Sequence, residues 1–187
     1  MKNFKLISLV CLLFASTIGL NAQDVASKSG GVGLKAGFNV SNLGDADYRP
    51  GFDLGLNAQF LLLGNFGVEG GFFYSMQGYK LADETHTASY LKMPIQAIYK
   101  FNVGKDLAIY PAAGVYLAYG LGGSKINDVK YFKKYKPFDT GAAFSLNLQF
   151  NKFEIGLNYD LGLLDISRAK SITAKNNNLK VSLGYFF

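Results

Sequence analysis

Residues 138–163 read FDTGAAFSLNLQFNKFEIGLNYDLGL, and large apolar residues occupy alternate positions through most of this stretch. The alternation pauses at Asn151-Lys152 and then resumes. Successive side chains of a β-strand point to opposite faces of the sheet, and a two-residue break that contains Asn is typical of a hairpin turn. The stretch therefore predicts a long antiparallel hairpin with one bulky, uncharged face and one small or polar face. A strand that separates lipid from a polar lumen shows this pattern, so the hairpin indicates an outer-membrane β-barrel.

The same alternation recurs along the rest of the chain. None of the positions on the bulky faces carries a charge, and a Lys or Arg that faces lipid costs about 2–4 kcal/mol at the middle of a bilayer. The pattern predicts eight strands, an even number, as single-chain bacterial outer-membrane barrels have. The predicted strands are 32–41, 52–62, 66–76, 90–101, 107–119, 138–150, 153–163 and 179–187.

The connections between these strands alternate in length. Outer-membrane barrels have tight periplasmic turns and longer extracellular loops. We therefore predict an all-β, eight-stranded antiparallel, up-and-down transmembrane barrel with a periplasmic N terminus. Pro94 and Pro111 lack the N–H that a strand ladder uses, so each is expected at a bulge or near a strand end. The short turns lie near 64–65, 102–105 and 151–152, and the long polar loops are 42–51, 78–89, 120–137 and 165–177.

Aromatic residues cluster at the ends of the predicted strands. Barrels of this kind carry aromatic girdles at both membrane interfaces. The set near the short turns is Phe60, Phe66, Tyr99, Phe101, Phe150, Phe153, Tyr185 and Phe187, and the set near the long loops is Phe38, Phe52, Tyr74, Tyr119 and Tyr159.

The N-terminal segment has the features of a secretory signal peptide. Two lysines precede an apolar run that is too short to favour a membrane-spanning helix. We predict a cleaved signal peptide at 1–22, a periplasmic lead-in at 23–30 and the barrel at 31–187. Cleavage would remove Cys11, the only cysteine of the chain. The mature protein would then have neither a disulfide nor a thiol site, and it would be exported to the outer membrane of a Gram-negative bacterium.

Composition excludes some classes of protein. The 187 residues are 49% hydrophobic and only 17% charged, so the chain is not disordered as a whole. The net charge of +6 is modest, and together with a secreted location it argues against a nucleic-acid partner.

The inward faces of the predicted strands carry four basic and four acidic residues. The interior of an eight-stranded barrel is just wide enough for side chains to fill, and charges held there must be paired. We therefore predict a closed network of ion pairs, with a conducting or ligand-binding lumen as the alternative. The predicted network is Lys35, Asp53, Glu69, Lys92, Lys100, Glu154, Asp160 and Lys180.

The loop at 120–137 is the most basic of the long loops. Its lysines are interleaved with Tyr131, Phe132 and Tyr135. They suit contact with lipopolysaccharide phosphates or an acidic protein partner, although a solvated loop whose lysines only keep it soluble has the same composition. The lysines are Lys125, Lys130, Lys133, Lys134 and Lys136.

The sequence gives little support to catalysis, a metal or a cofactor. His86, the only histidine, lies in the predicted loop at 78–89. A single histidine cannot supply a three-ligand zinc site, so we expect a solvated loop residue. A lipid-modifying enzyme that uses His86 and Ser89 is a minor alternative. We expect no cofactor and no catalytic residue.

Three segments resemble motifs of the PorT-like outer-membrane β-barrel domain family. They are GLKAGFNVSNL at 33–43, SYLKMPIQAIYKF at 89–101 and YDLGL at 159–163. The resemblance implies an eight-stranded outer-membrane barrel and gives no catalytic residues to transfer. The C-terminal Tyr185-Phe186-Phe187 is similar to the aromatic signal that the barrel-assembly machinery reads, with Tyr185 and Phe187 as its expected elements.

The sequence thus favours a non-enzymatic outer-membrane barrel with a structural or surface-interaction role. One alternative is a narrow pore or small-ligand carrier. Another is a soluble periplasmic barrel of lipocalin type with its bulky face turned inward, which would overfill an eight-stranded lumen.

Overall fold

The computed structural model describes residues 30–81, 84–126, 129–169 and 173–187. The predicted signal peptide (1–22) and lead-in (23–30), apart from Gly30, lie outside the described residues. Within the described part, no helix has the length and hydropathy needed to cross a membrane. The elements are β1 Gly30–Leu43, β2 Arg49–Leu63, β3 Phe66–Leu81, β4 Glu84–Tyr99, β5 Phe101–Asn102, β6 Leu107–Gly123, β7 Lys125–Ile126, β8 Val129–Lys130, α1 Tyr131–Lys134, β9 Phe138–Phe150, β10 Phe153–Gly162 and β11 Asn176–Phe186.

Eight long strands form a closed antiparallel barrel. They follow one another in the order β4, β3, β2, β1, β11, β10, β9 and β6, and β6 pairs back onto β4. The first and last strands are joined in continuous register, with Phe38 opposite Val181. Closure leaves the eight-stranded wall without a free edge, which is the condition for a sheet to stand in lipid. The predicted fold class is confirmed.

The two faces of the barrel wall differ as the alternation predicts. Large apolar side chains cover the outside, among them Phe38 with 85% of its surface exposed and Leu183 with 65%. Polar side chains fill the inside, where Ser41 and Asn147 are fully buried. The hypothesis of a soluble barrel with its bulky face inward is therefore wrong.

The short turns bend in the way that their residues allow. Gly64 has a φ of 57° in the β2–β3 turn, and Asn151 has a φ of 51° in the β9–β10 turn. Gly and Asn are the residues that enter this left-handed region at least cost. The predicted hairpin at 138–163 therefore turns at Asn151-Lys152, as its sequence indicates.

The predicted long loop at 78–89 is wrong, because β3 and β4 run through it. Their pairing continues from Gln77 opposite Ala88 to Leu81 opposite Glu84. Beyond the membrane the outer face of a strand meets water, so polar residues occupy both faces and the alternation that marks the other strands is lost. For the same reason β2 begins at Arg49, β6 extends to Gly123 and β11 begins at Asn176, each beyond its predicted limit.

The two prolines lie where a ladder is interrupted without a change of register. The β3–β4 pairing skips from Gly70–Ile95 to Phe73–Lys92, around Pro94. Pro111 lies opposite the gap between β4 and β5, where pairing to β6 stops at Ile98 and resumes at Phe101. Pro94 is therefore at neither a bulge nor a strand end as expected, and the missing N–H is accommodated by a local break.

Residues 124–126 and 129–137 of the predicted third long loop fold over the extracellular end of the barrel as a cap. Its residues Ile126 and Tyr131 are buried together with Ile166 of the β10–β11 connection. Phe132 meets Tyr90 edge-on, with ring centroids 5.6 Å apart. The aromatic residues of this loop, which the sequence places beside the lysines, thus form a small apolar core instead of a solvated surface.

Gly120 makes room for this cap. A side chain at Gly120 would overlap the ring of Phe132. We expect Gly120→Val to loosen the cap, because overpacking costs about 1–3 kcal/mol, and to speed trypsin cleavage at Lys133 and Lys134 roughly tenfold or more. Limited proteolysis of the folded protein in micelles measures this rate.

Gly122→Val is the matched control, since no atom lies within 4 Å of a methyl group placed there. It should leave cleavage unchanged, and both variants should keep the gel mobility of a folded barrel. Equal cleavage of the two variants would show that Phe132 does not hold the cap.

Candidate functional site: charged lumen and extracellular cap

The lumen is crossed by a lower layer of ion pairs, on the side of the short turns. Lys35 Nζ lies 3.2 Å from Glu69 Oε1 and 2.5 Å from Glu154 Oε1. Gln59 Nε2 donates to Glu69 Oε2 at 2.7 Å, and the Tyr110 hydroxyl donates to Glu154 Oε2. Side chains from β1, β2, β3, β6 and β10 therefore meet at one level and tie the barrel wall together.

A middle layer contains the other predicted pairs. Lys92 Nζ contacts Asp160 Oδ2, and Lys180 Nζ lies 3.8 Å from Asp53 Oδ1. Asn39 Nδ2 donates to Asp53 Oδ2 at 2.5 Å. A space of about 20 Å³ lies beside Lys92, Asp160 and Lys180, roughly the room of a single water molecule.

An upper layer centres on Asp139, which was not among the predicted network residues. Tyr116 and Asn176 both donate to Asp139 Oδ2 at 3.2 Å. Asn176 also donates to Gln77 Oε1 at 2.6 Å. Strict alternation would have found Asp139 and the two lumen tyrosines, Tyr110 and Tyr116, because each alternates with an outward apolar residue.

Lys100 lies apart from the ion pairs. It follows β4, is half-buried, and donates to Gln149 Oε1 at 2.7 Å. Its ammonium group lies 5.2 Å from the ring centroid of Tyr110. Among the described residues no carboxylate is within ion-pair distance of it. Lys100 lines an open vestibule of about 660 Å³ at the short-turn end, and Gln59 closes its inner end.

The extracellular lysines lie at the rim of the cap. Lys130, Lys133 and Lys136 are exposed and Lys134 is half-buried. The side chain of Lys125 lies outside the described residues. Backbone hydrogen bonds join this loop to the β10–β11 connection and bring Arg168, which the sequence did not single out, beside Lys134. The contact between Arg168 and Lys134 depends on the fold, so the sequence alone does not reveal it.

Asp165 fixes the shape of the second of these loops. Its Oδ1 accepts hydrogen bonds from the backbone N–H groups of Ser167 and Ala174, both at 2.9 Å. These hydrogen bonds hold the pKa of the Asp165 carboxyl below its usual range. The carboxylate is thus ionised at neutral pH, and its hydrogen bonds are made with the backbone of its own loop.

His86 is not a solvated loop residue, so that expectation is wrong. It belongs to β4, is 3% exposed, and packs against Tyr79 in a tilted arrangement with ring centroids 4.9 Å apart. Ser89 lies on the opposite, outer face of β4, where its Oγ is 2.7 Å from the Tyr74 hydroxyl. The two side chains therefore cannot form a catalytic pair. Among the described residues no group of three or more potential ligands could hold a metal.

The C-terminal aromatic residues face outward. Tyr185 is 39% exposed and Phe187 is 63% exposed. The Tyr185 ring packs against Phe153, with centroids 5.2 Å apart, at the short-turn end of the barrel. Tyr185 and Phe187 therefore belong to the aromatic girdle at this end. That the barrel-assembly machinery recognises them stays a prediction.

A family profile for the outer membrane protein β-barrel domain matches residues 16–168. The chain belongs to this family. The family is that of outer-membrane barrels in general, so the narrower PorT-like resemblance stays a prediction. No curated protein matches the chain significantly in sequence. Membership puts the protein in the outer membrane, with lipid against its apolar outer face.

Three solved outer-membrane proteins illustrate the shared fold. Ail, the attachment invasion locus protein of Yersinia pestis, is 17% identical with a TM-score of 0.50, over 85% of this chain and 98% of that one. OprG of Pseudomonas aeruginosa is 15% identical with a TM-score of 0.53, over 86% and 97%. The outer membrane enzyme PagL is 12% identical with a TM-score of 0.54, over 82% and 99%. At these identities the likeness concerns the fold alone.

Proposed function

We propose that this protein is a non-enzymatic outer-membrane barrel with a closed lumen and a structural or surface-interaction role. The observation that carries the proposal is the lower layer of the lumen, where Lys35, Glu69, Glu154 and Tyr110 meet from different sides of the barrel. A second closure, the apolar cap around Tyr131 and Ile166, supports it at the extracellular end.

A narrow pore or small-ligand carrier is the alternative. The vestibule of about 660 Å³ favours it, since this volume is in the range of small-molecule sites. The vestibule meets Gln59, however, and the ion pairs beyond it would have to separate for a solute to pass. Separating a buried pair costs several kcal/mol, so the closed form has the stronger support.

The exposed part of the protein is then the part available for contact. The loop at 120–137 would present Lys125, Lys130, Lys133, Lys134 and Lys136 to lipopolysaccharide or to a protein partner. Export through the signal peptide at 1–22 and assembly through Tyr185 and Phe187 complete the proposal. Fold alone does not decide between catalysis and its absence, and the support for a non-enzyme is the separation of His86 from Ser89.

Conductance in planar lipid bilayers tests the closed lumen. We expect the purified barrel to give no discrete channel events in 1 M KCl, about the salt at which long-range charge effects are screened. Steady single-channel events from protein that is folded by gel mobility would favour the pore. The same preparation, unfolded by heating before it is added to the bilayer, is the control for contaminating porins.

A further inference from the structure

Two cations are held opposite each other where the extracellular loops meet. Tyr135 and Ser167 form an antiparallel bridge, which sets Lys134 across from Arg168. The backbone N–H of Arg168 donates to the Lys134 carbonyl at 3.3 Å, and the side-chain Nε of Arg168 donates to the Tyr135 carbonyl at 3.2 Å. Tyr135 turns its side chain into the cap, where its hydroxyl lies 2.9 Å from that of Tyr79. Lys134, the last residue of α1, is half-buried, and the Lys136 ammonium group donates to the backbone carbonyl of Asp165 at 2.9 Å.

This arrangement is unfavourable for the protein alone. Like charges directly opposite each other across a strand pair are destabilising. In the described part of the chain no carboxylate is within ion-pair distance of Lys133, Lys134 or Arg168. The nearby Asp165 is engaged by the backbone of its own loop. An anion with several oxygen atoms would remove the repulsion by bridging the two cations.

The height of the cluster indicates where such an anion would come from. Lys136 precedes the first residue of β9, Phe138, by two positions, and Phe138 is 45% exposed on the outer face beside Tyr119. Exposed aromatic residues at a strand end mark the level of the lipid headgroups. The basic cluster therefore lies just above the headgroups and at the rim of the barrel, instead of over its centre.

We propose that Lys134 and Arg168, flanked by Lys133 and Lys136, bind the phosphate groups of a glycolipid in the outer leaflet of the same membrane. This proposal rests on the surface role proposed above and names its ligand. The site spans two loops, so it needs the cap in place. It holds the protein to its own lipid surface instead of to another cell or a soluble molecule.

A matched pair of double variants tests the site. Lys134→Gln/Arg168→Gln removes the opposed cations, and Lys105→Gln/Lys152→Gln removes the same charge at the short-turn end. The folded protein in neutral micelles is titrated with purified lipopolysaccharide, and binding is followed by fluorescence of a labelled lipid. We expect the first variant to bind roughly tenfold or more weakly, because each basic residue near an anionic surface adds to the attraction, and the second to bind like the native protein.

Two further ligands separate the sources of the anion. The two double variants should bind dephosphorylated glycolipid with equal affinity. A soluble sulfated polysaccharide should bind the native protein more weakly than the glycolipid does. Equal weakening in both double variants, no loss on dephosphorylation, or tighter binding of the soluble polysaccharide would each overturn the proposal. Gel mobility and the absence of conductance report on the barrel separately, so the glycolipid site can fail while the closed barrel stands.

Discussion

Lys35→Met is expected to destabilise the barrel by about 3–5 kcal/mol, because it leaves buried carboxylates without their cation. Lys35 is 4% exposed and is the cation within ion-pair distance of both Glu69 and Glu154 in the described part of the chain. Methionine keeps most of the volume of the side chain, so the loss reports on charge and not on packing. The change in the free energy of unfolding is measured by urea unfolding of the protein in lipid vesicles, with the folded fraction read from heat-dependent gel mobility.

The partner of the lost cation provides the control for this prediction. Adding Glu154→Gln to Lys35→Met removes one of the two stranded charges, and Glu69 keeps its hydrogen bond from Gln59. We expect the double variant to recover part of the lost stability. Lys105→Met, at an exposed turn, should change stability by less than about 0.5 kcal/mol. A Lys35→Met barrel as stable as the native one would mean that the lower layer does not hold the wall together.

The barrel itself could be predicted because its wall lies between two different solvents. Lipid excludes charge from one face, and the narrow lumen excludes large apolar side chains from the other. Residues such as Leu157 and Asn158 therefore alternate in chemistry as well as in direction. That rule fails above the membrane, where both faces of β3 and β4 meet water or the cap. For this reason the segment from Gly78 to Ser89 reads as a loop in the sequence.

The cap had no comparable signal in the sequence. Tyr131, Phe132 and Tyr135 have the spacing of a single helical turn, which is too short to be recognised as a helix, and their partners lie far away along the chain. Phe132 fits into the cap because Gly120 has no side chain, and Tyr135 is hydrogen-bonded to the hydroxyl of Tyr79. Contacts of this kind depend on the closed barrel bringing the ends of distant strands together.

The lumen charges were predictable as a set and not as pairs. Alternation shows which residues point inward, but the height at which they meet depends on the stagger of the strands around the barrel. Lys35 thus meets Glu69 and Glu154 from two other strands, while Lys100 meets an amide. No pattern in the sequence indicates that Arg168 lies against Lys134.

The membrane position of the outer face gives the second large expected effect. Leu157 is 51% exposed in the middle of β10, between Leu146 and Val181. We expect Leu157→Lys to destabilise the folded protein in a bilayer by about 2–4 kcal/mol, since a lysine at the midplane must leave water for hydrocarbon. Unfolding in urea from lipid vesicles measures this loss.

Leu81→Lys is the matched control, because it makes the same change of side chain at a similar exposure. Leu81 is 60% exposed, but it lies at the tip of β3, opposite Glu84, beyond the aromatic residues that mark the headgroups. There the lysine stays in water, so the cost should fall to about 0–1 kcal/mol. The two leucines are similarly exposed on the protein surface, so the presence of lipid around Leu157 is what makes the two substitutions differ. Equal costs at the two sites would therefore contradict the transmembrane placement of the wall, whatever its strand order.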